Sequence, residues 1–120
     1  MEASPPRALV VEDDASLRLL VRVNLEFEGF EVAEAATVPE AEAALAARRP
    51  DVVLLDLYLG GAGSYPLLER LRAEGVPVAV VTGSVDVEDV RGEADAVLQK
   101  PFSPKALVET AARLARVRRT

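Results

Sequence analysis

Asp51-Val52-Val53-Leu54-Leu55-Asp56 decides how the chain is read. Four consecutive apolar residues fit a strand buried on both faces, and the run stops at a carboxylate. Two other apolar runs end in the same manner. Arg7-Ala8-Leu9-Val10-Val11 leads into Glu12-Asp13-Asp14, and Pro77-Val78-Ala79-Val80-Val81 leads into Thr82-Gly83-Ser84. A shorter run, Asp95-Ala96-Val97-Leu98, leads into Gln99-Lys100-Pro101-Phe102. Polar groups set directly against buried strands are costly unless they have partners or a task.

Helical patterns lie between these runs. Ala15 to Glu28 places Leu17, Leu20, Val21 and Leu25 on one stripe, interrupted by Asn24, with Gly29 as the C-terminal cap. Thr37-Val38-Pro39-Glu40 has capping-box spacing and opens a helix through Arg48 or Arg49. Its apolar face is Val38, Ala41, Ala44 and Leu45, and Pro50 stops it. A third helix, about Tyr65 to Glu74, carries Leu67, Leu68 and Leu71 and ends at Gly75. Asp86 to Gly92 has room for a short helix only. Ser103 caps the last helix, with Pro104 at its first position and Leu107, Ala111, Leu114 and Ala115 as core stripe. Phe30 to Ala35 alternates polar and apolar residues, which suits an edge strand. Gly60 to Ser64 reads as a loop, and the chain shows no hairpin signal and no internal repeat.

Strand and helix alternate five times. This predicts an α/β fold with a doubly wound, five-stranded parallel sheet, helices on both faces and right-handed crossovers. Placing the fully apolar strands centrally gives the order 2-1-3-4-5, the flavodoxin-like arrangement. The 120 residues read as one domain with a core of about 7–117, a frayed leader at 1–6 and a tail at 118–120.

Composition removes whole classes of chemistry. There is no cysteine and no histidine. Thiolate and imidazole metal sites, Ser-His-Asp and Cys-His catalysis, and a phosphohistidine on this chain are excluded. What remains is carboxylate, hydroxyl, lysine, or a metal held by oxygen. The net charge of −6 disfavours direct nucleic-acid binding, which needs a basic surface. Arg113, Arg116, Arg118 and Arg119 are read as cations complementing the end of the last helix. No apolar run approaches the ~18 residues that span a bilayer and no signal-peptide pattern opens the chain, so a cytoplasmic protein without membrane contact is expected.

In an open parallel sheet the binding crevice lies at the carboxyl ends of the strands, where the strand order reverses. Glu12, Asp13 and Asp56 fall there, with Thr82 and Lys100 one and two strands further along. Carboxylates meeting at one point raise each other's pKa, and a hard cation such as Mg²⁺ resolves the repulsion. A metal, a lysine and a hydroxyl around one carboxylate are the parts needed to stabilise charge in phosphoryl transfer, with Asp56 as nucleophile.

With these residues in view, the chain resembles the receiver domain of two-component response regulators from about Arg7 to Val117. The motifs carrying the resemblance are Val10-Val11-Glu12-Asp13-Asp14, Val53-Leu54-Leu55-Asp56-Leu57, Val80-Val81-Thr82-Gly83 and Lys100-Pro101-Phe102. The resemblance implies a CheY-like fold and a signalling switch rather than a turnover enzyme. It implies that Asp56 accepts a phosphoryl group from a sensor histidine kinase or phosphotransfer protein. It implies Mg²⁺ bound by Asp13, Asp56 and the Tyr58 carbonyl, with Glu12 helping through water. Thr82 and Lys100 then hold the phosphoryl oxygens, the Lys100-Pro101 bond is cis, and a downstream effector reads the result. A phosphorylation-dependent homodimer is among the assemblies the resemblance allows.

The chain also departs from the family pattern. Val97 stands where an aromatic switch residue is usual, three positions before the lysine. The segment from Thr82 to Lys100 is about one helical turn short, and Gly60 and Gly63-Ser64 replace the usual proline and Asp-Gly. Plainer readings stand beside the functional ones. Asp56 starts a turn, Asp14 caps a helix, Thr82 satisfies a backbone group, Lys100 is solvated, Tyr58 is a rim residue and Gly60 to Gly63 is a flexible loop. Two other functions fit the residues less well. One is a degenerate receiver that binds proteins without phosphorylation. The other is a Mg²⁺-dependent phosphatase, which wants a second acid where this chain has Tyr58.

Overall fold

A computed structural model of the chain describes residues 4–59, 62–83 and 94–119. The elements run β1 (Arg7–Val11), α1 (Ala15–Phe27), β2 (Glu31–Ala35), α2 (Val38–Ala47), β3 (Val52–Asp56), β4 (Tyr58–Leu59), β5 (Ala62–Gly63), α3 (Tyr65–Ala73), β6 (Val78–Thr82), β7 (Ala96–Gln99) and α4 (Pro104–Arg119). Five strands make one parallel sheet in the order β2-β1-β3-β6-β7. With β4 and β5 set aside, this is the expected 2-1-3-4-5 flavodoxin-like order. The short helix expected over Asp86 to Gly92 lies outside the described residues, as do Gly60 and Gly61.

The period of two along each buried strand divides the core into two halves. Leu9 and Val11, Val53 and Leu55, and Val78 and Val80 pack on one face with Ala41 of α2 and Leu67, Leu68 and Leu71 of α3. Ala8 and Val10, Val52 and Leu54, and Ala79 pack on the other with Val21 and Leu25 of α1 and Leu107, Ala111, Leu114 and Ala115 of α4. A slip of one residue in β1, β3 or β6 would exchange the two sets, so register is fixed on both faces. That register brings Val11, Leu55 and Val80 level, and their polar successors emerge from one edge of the sheet.

The local signals act as their chemistry requires. Asp14 caps α1, its Oδ1 accepting from the Leu17 N–H at 3.0 Å, and Ser103 Oγ accepts from the Ala106 N–H at 3.0 Å. Thr37 Oγ1 accepts from Glu40 N–H at 3.2 Å, while the Glu40 carboxylate reaches back to Ala36 N–H at 2.8 Å, one residue earlier than a standard capping box. Gly29 and Gly75 have φ of +97° and +73°, the left-handed region that ends helices.

Three expectations change. Leu20 is not on the core stripe of α1; it is 45% exposed, in a row with Leu19, Val23 and Phe27, and the buried positions are Val21 and Leu25. Asn24, which interrupts the stripe, donates from Nδ2 to the Leu20 carbonyl at 2.8 Å and so is satisfied within its own helix. The segment after Asp56 is not all loop: Tyr58–Leu59 pairs antiparallel with Ala62–Gly63. Two-residue strands are too short for alternation to register in a sequence. The leader is not frayed up to β1, because the Pro6 carbonyl accepts from Glu31 N–H at 2.9 Å and extends the β1–β2 pairing.

The two leucines of α1 provide a contrast. Leu25→Ala removes a fully buried side chain and is expected to cost about 2–5 kcal/mol, whereas Leu20→Ala is expected to cost under about 1 kcal/mol. Urea melts of the two variants check this; equal losses would contradict the packing described.

Candidate functional site

Each expected site residue leaves the same edge of the sheet. Asp56 is the last residue of β3 and pairs in register with Val81 of β6. Glu12 follows β1 directly, its N–H donating to the Ala35 carbonyl at 3.0 Å. Asp13 comes next and is exposed, then the capping Asp14. Thr82 ends β6 with no exposed surface, and its carbonyl accepts from Lys100 N–H at 2.8 Å. Lys100 follows β7, and the Lys100-Pro101 peptide is cis. Tyr58 opens β4, two residues past Asp56.

Two of the carboxylates are buried, Glu12 at 4% and Asp56 at 6% exposure. A lone buried carboxylate is strongly unfavourable, so its partners decide whether the arrangement holds. Lys100 Nζ lies 3.1 Å from Glu12 Oε1 and 3.2 Å from Asp56 Oδ2, bridging the two acids. Main-chain donors take the remaining oxygens: Asp14 N–H to Glu12 Oε2 and Tyr58 N–H to Asp56 Oδ1, both at 3.0 Å. All four buried carboxylate oxygens therefore face a donor. Asp13 completes an acidic group in which Glu12, Asp13 and Asp56 each offer an oxygen within 4.8 Å of the others.

The electrostatics follow from burial. Burial pushes the Glu12 carboxyl up to about 7, aided by the charge of Asp56 and opposed by the Asp14 N–H and by Lys100. Burial also works against the Lys100 ammonium, but its bonds to Glu12 and Asp56 outweigh this and hold it above the usual lysine range. Among the described residues the site holds more negative than positive groups, and it opens to solvent through a cleft of about 530 Å³ lined by Glu12, Asp13, Asp14, Asp56, Tyr58, Gly83 and Lys100. A larger concavity of about 740 Å³ runs between α1 and α4 past Asn24, Phe27, Val108 and Ala112, and shares no lining residue with the acidic cleft. No comparable convergence of buried acids lines it.

The structure thus brings Glu12, Asp13, Asp56 and Lys100 together and puts Tyr58 against Asp56 through its N–H. Thr82 stands on the neighbouring strand end. Lys100 is not a solvated surface lysine, and Val97 sits opposite Val80, half-buried against the α2/α3 half of the core. Two residues at the site carried no sequence signal. Arg18 of α1 donates from Nη1 to the Glu12 carbonyl at 2.8 Å and from Nε to Glu34 Oε1 at 3.1 Å, steadying the turn that presents Glu12. Ser64, expected in a loop, is wholly buried and donates its hydroxyl to the Asp56 carbonyl at 2.7 Å.

With this geometry in place, the family is decided by comparison. The model of the response regulator receiver domain matches residues 8–112. The chain belongs to that family. Among curated relatives it is 41% identical over 113 residues to the DNA-binding response regulator MtrA of Mycobacterium tuberculosis, covering 90% of this chain and 50% of MtrA. It is 36% identical over 108 residues to the phosphate regulon transcriptional regulatory protein PhoB of Pseudomonas aeruginosa, covering 83% and 47%. The chain spans about half the length of the curated relatives it matches. Among solved structures, a CheY-like receiver domain protein from Methanospirillum hungatei superposes with a TM-score of 0.87 at 30% identity, over 97% of this chain and 98% of that one. NtrX from Brucella abortus gives 0.86 at 29% identity, over 96% of this chain and 28% of its own. The acidic cluster falls where a receiver domain has its phosphorylation site, and receiver domains are signalling switches.

The raised Glu12 sets a pH dependence in the protein held free of divalent ions. Its folded-state pKa of about 7 exceeds the ordinary 4.5, so the folded state binds more protons across that interval. Stability then falls as pH rises from about 4.5 to about 7. Thermal melts in chelator should show a shallower decline for Glu12→Gln over that window. A parallel decline in both proteins would rule out Glu12 as its source.

Proposed function

We propose that this receiver domain takes a phosphoryl group onto Asp56 from the phosphohistidine of a sensor kinase or phosphotransfer protein, in a Mg²⁺-dependent step. The observation that carries this reading is the Glu12–Lys100–Asp56 bridge beside Asp13 at the switch point of the sheet. Oxygen donors of this kind suit Mg²⁺. Asp13 and Asp56 would hold the ion with the Tyr58 carbonyl, and Glu12 would act through water. The fit rests on the chemistry of the donor set: three carboxylates whose oxygens lie within 4.8 Å of one another, two of them bridged by Lys100. When bound, the ion offsets negative charge on the acids and on the transferring group.

The chain's own residues supply the rest. An Asp56 carboxylate oxygen attacks phosphorus, the P–N bond of the donor breaks, and the imidazole leaves with the electron pair of that bond. Tyr58 N–H and Lys100 hold the Asp56 carboxylate in position before attack. Lys100 then exchanges its contact with Asp56 for a phosphoryl oxygen, and Thr82 offers its hydroxyl from the next strand end. The domain turns over only its own phosphorylation and dephosphorylation. Direct nucleic-acid binding by this domain is not part of the reading, given the net charge of −6.

A small phosphodonor with Mg²⁺ should add one phosphate to the wild-type chain and none to Asp56→Asn, read by intact mass. Chelation of Mg²⁺ should abolish the addition. Labelling that survives in Asp56→Asn would sink the assignment, and no labelling in the wild type would favour a receiver that works by protein contact alone.

A further inference from the structure

Ser64, read from the sequence as part of a loop, occupies the N-cap position of α3, with Pro66 in the first turn. A serine there normally turns its oxygen to the helix as an acceptor. Ser64 makes no such bond. Its hydroxyl donates to the main-chain oxygen of Asp56 at 2.7 Å, and its N–H donates to the Leu57 oxygen at 2.8 Å. One residue thereby grips two successive carbonyls at the point where β3 ends. It has no exposed surface, so water does not compete for the bond.

The peptide unit joining Asp56 and Leu57 is a rigid plane. Holding its oxygen fixes how the main chain leaves Asp56, and only the side-chain torsions of Asp56 remain. Those are held by Tyr58 N–H on Oδ1 and Lys100 on Oδ2. The other end of the Ser64 grip is equally firm. The Ser64 carbonyl accepts from Leu67 and Leu68 N–H, both at 3.1 Å, and Leu67, Leu68 and Leu71 are buried in the core. The hydroxyl therefore refers Asp56 to a packed helix across the β4–β5 pairing.

We infer that Ser64 is a positioning residue for phosphoryl transfer, setting the Asp56 carboxylate through the peptide oxygen it binds. This rests on the reading of Asp56 as acceptor. The role is specific to the hydroxyl, because the main-chain bonds of Ser64 survive its removal.

Phosphorylation by acetyl phosphate with Mg²⁺ tests this in wild type, Ser64→Ala and Ser64→Gly, with Asp56→Asn as blank and thermal melts alongside. In Ser64→Ala the rate at saturating donor should fall about tenfold while the half-saturating donor concentration stays within about twofold. A merely structural hydroxyl would lower the melting temperature and leave the saturated rate of the folded protein unchanged, which overturns the inference. Ser64→Gly decides on the same readout if the alanine variant does not fold. Wild-type labelling with an unaltered Ser64→Ala rate rejects the positioning role alone. A wild type that takes no phosphoryl group rejects the acceptor reading and this role with it.

Discussion

Two buried carboxylates sharing one ammonium are the constraint on which the site depends. Glu12 and Asp56 are each nearly inaccessible, and each would be strongly unfavourable alone. Lys100 bridges them at 3.1 and 3.2 Å, and two main-chain N–H groups take the oxygens it does not reach. The bridge joins residues 44 and 88 positions apart in the chain, so only the folded sheet assembles it. The balance is incomplete, since burial and Asp56 still push the Glu12 carboxyl to about 7. Asp13 stands at the mouth of the site and completes its acidic cluster.

Rigidity on both faces of the sheet makes this tolerable. β1, β3 and β6 send alternate residues into two separate core halves, and neither half permits a shift of register. Their carboxyl ends are therefore fixed relative to one another. Around them, Arg18 steadies the Glu12 turn from α1 and Ser64 steadies the end of β3 from α3. Helices on opposite faces of the sheet thus each hold one acid.

Much of this was legible in the sequence because burial and period leave marks in composition. Fully apolar runs at Ala8–Val11, Val52–Leu55 and Val78–Val81 could only be central strands, and their polar successors mark the site in the sequence itself. Asp14, Thr37 and Ser103 announced helix starts because a capping oxygen followed by a helical pattern is a local signal. What escaped notice depends on contacts between distant residues. Leu20 has the right spacing for a core stripe, but the width of the stripe is set by what packs against α1. Arg18 looks like any exposed helical arginine until the Glu12 carbonyl and Glu34 lie within its reach. Ser64 was hidden by its loop-like neighbours in a glycine-rich stretch, and only the direction of its hydroxyl shows another use. Val97, half-buried on β7, stands at the position where the family pattern has an aromatic residue, and residues 84–93 lie outside those described.

The central claim is that Asp56 itself is the phosphoryl acceptor. The most direct measurement is to treat the phosphodonor-reacted protein with borohydride, which reduces an acyl phosphate to the alcohol, and to sequence its peptides by mass spectrometry. The account predicts homoserine at position 56 and unmodified Asp13 and Glu12. Homoserine at position 13, reduction of Glu12, or a stable phosphate on Thr82 or Ser64 would contradict it.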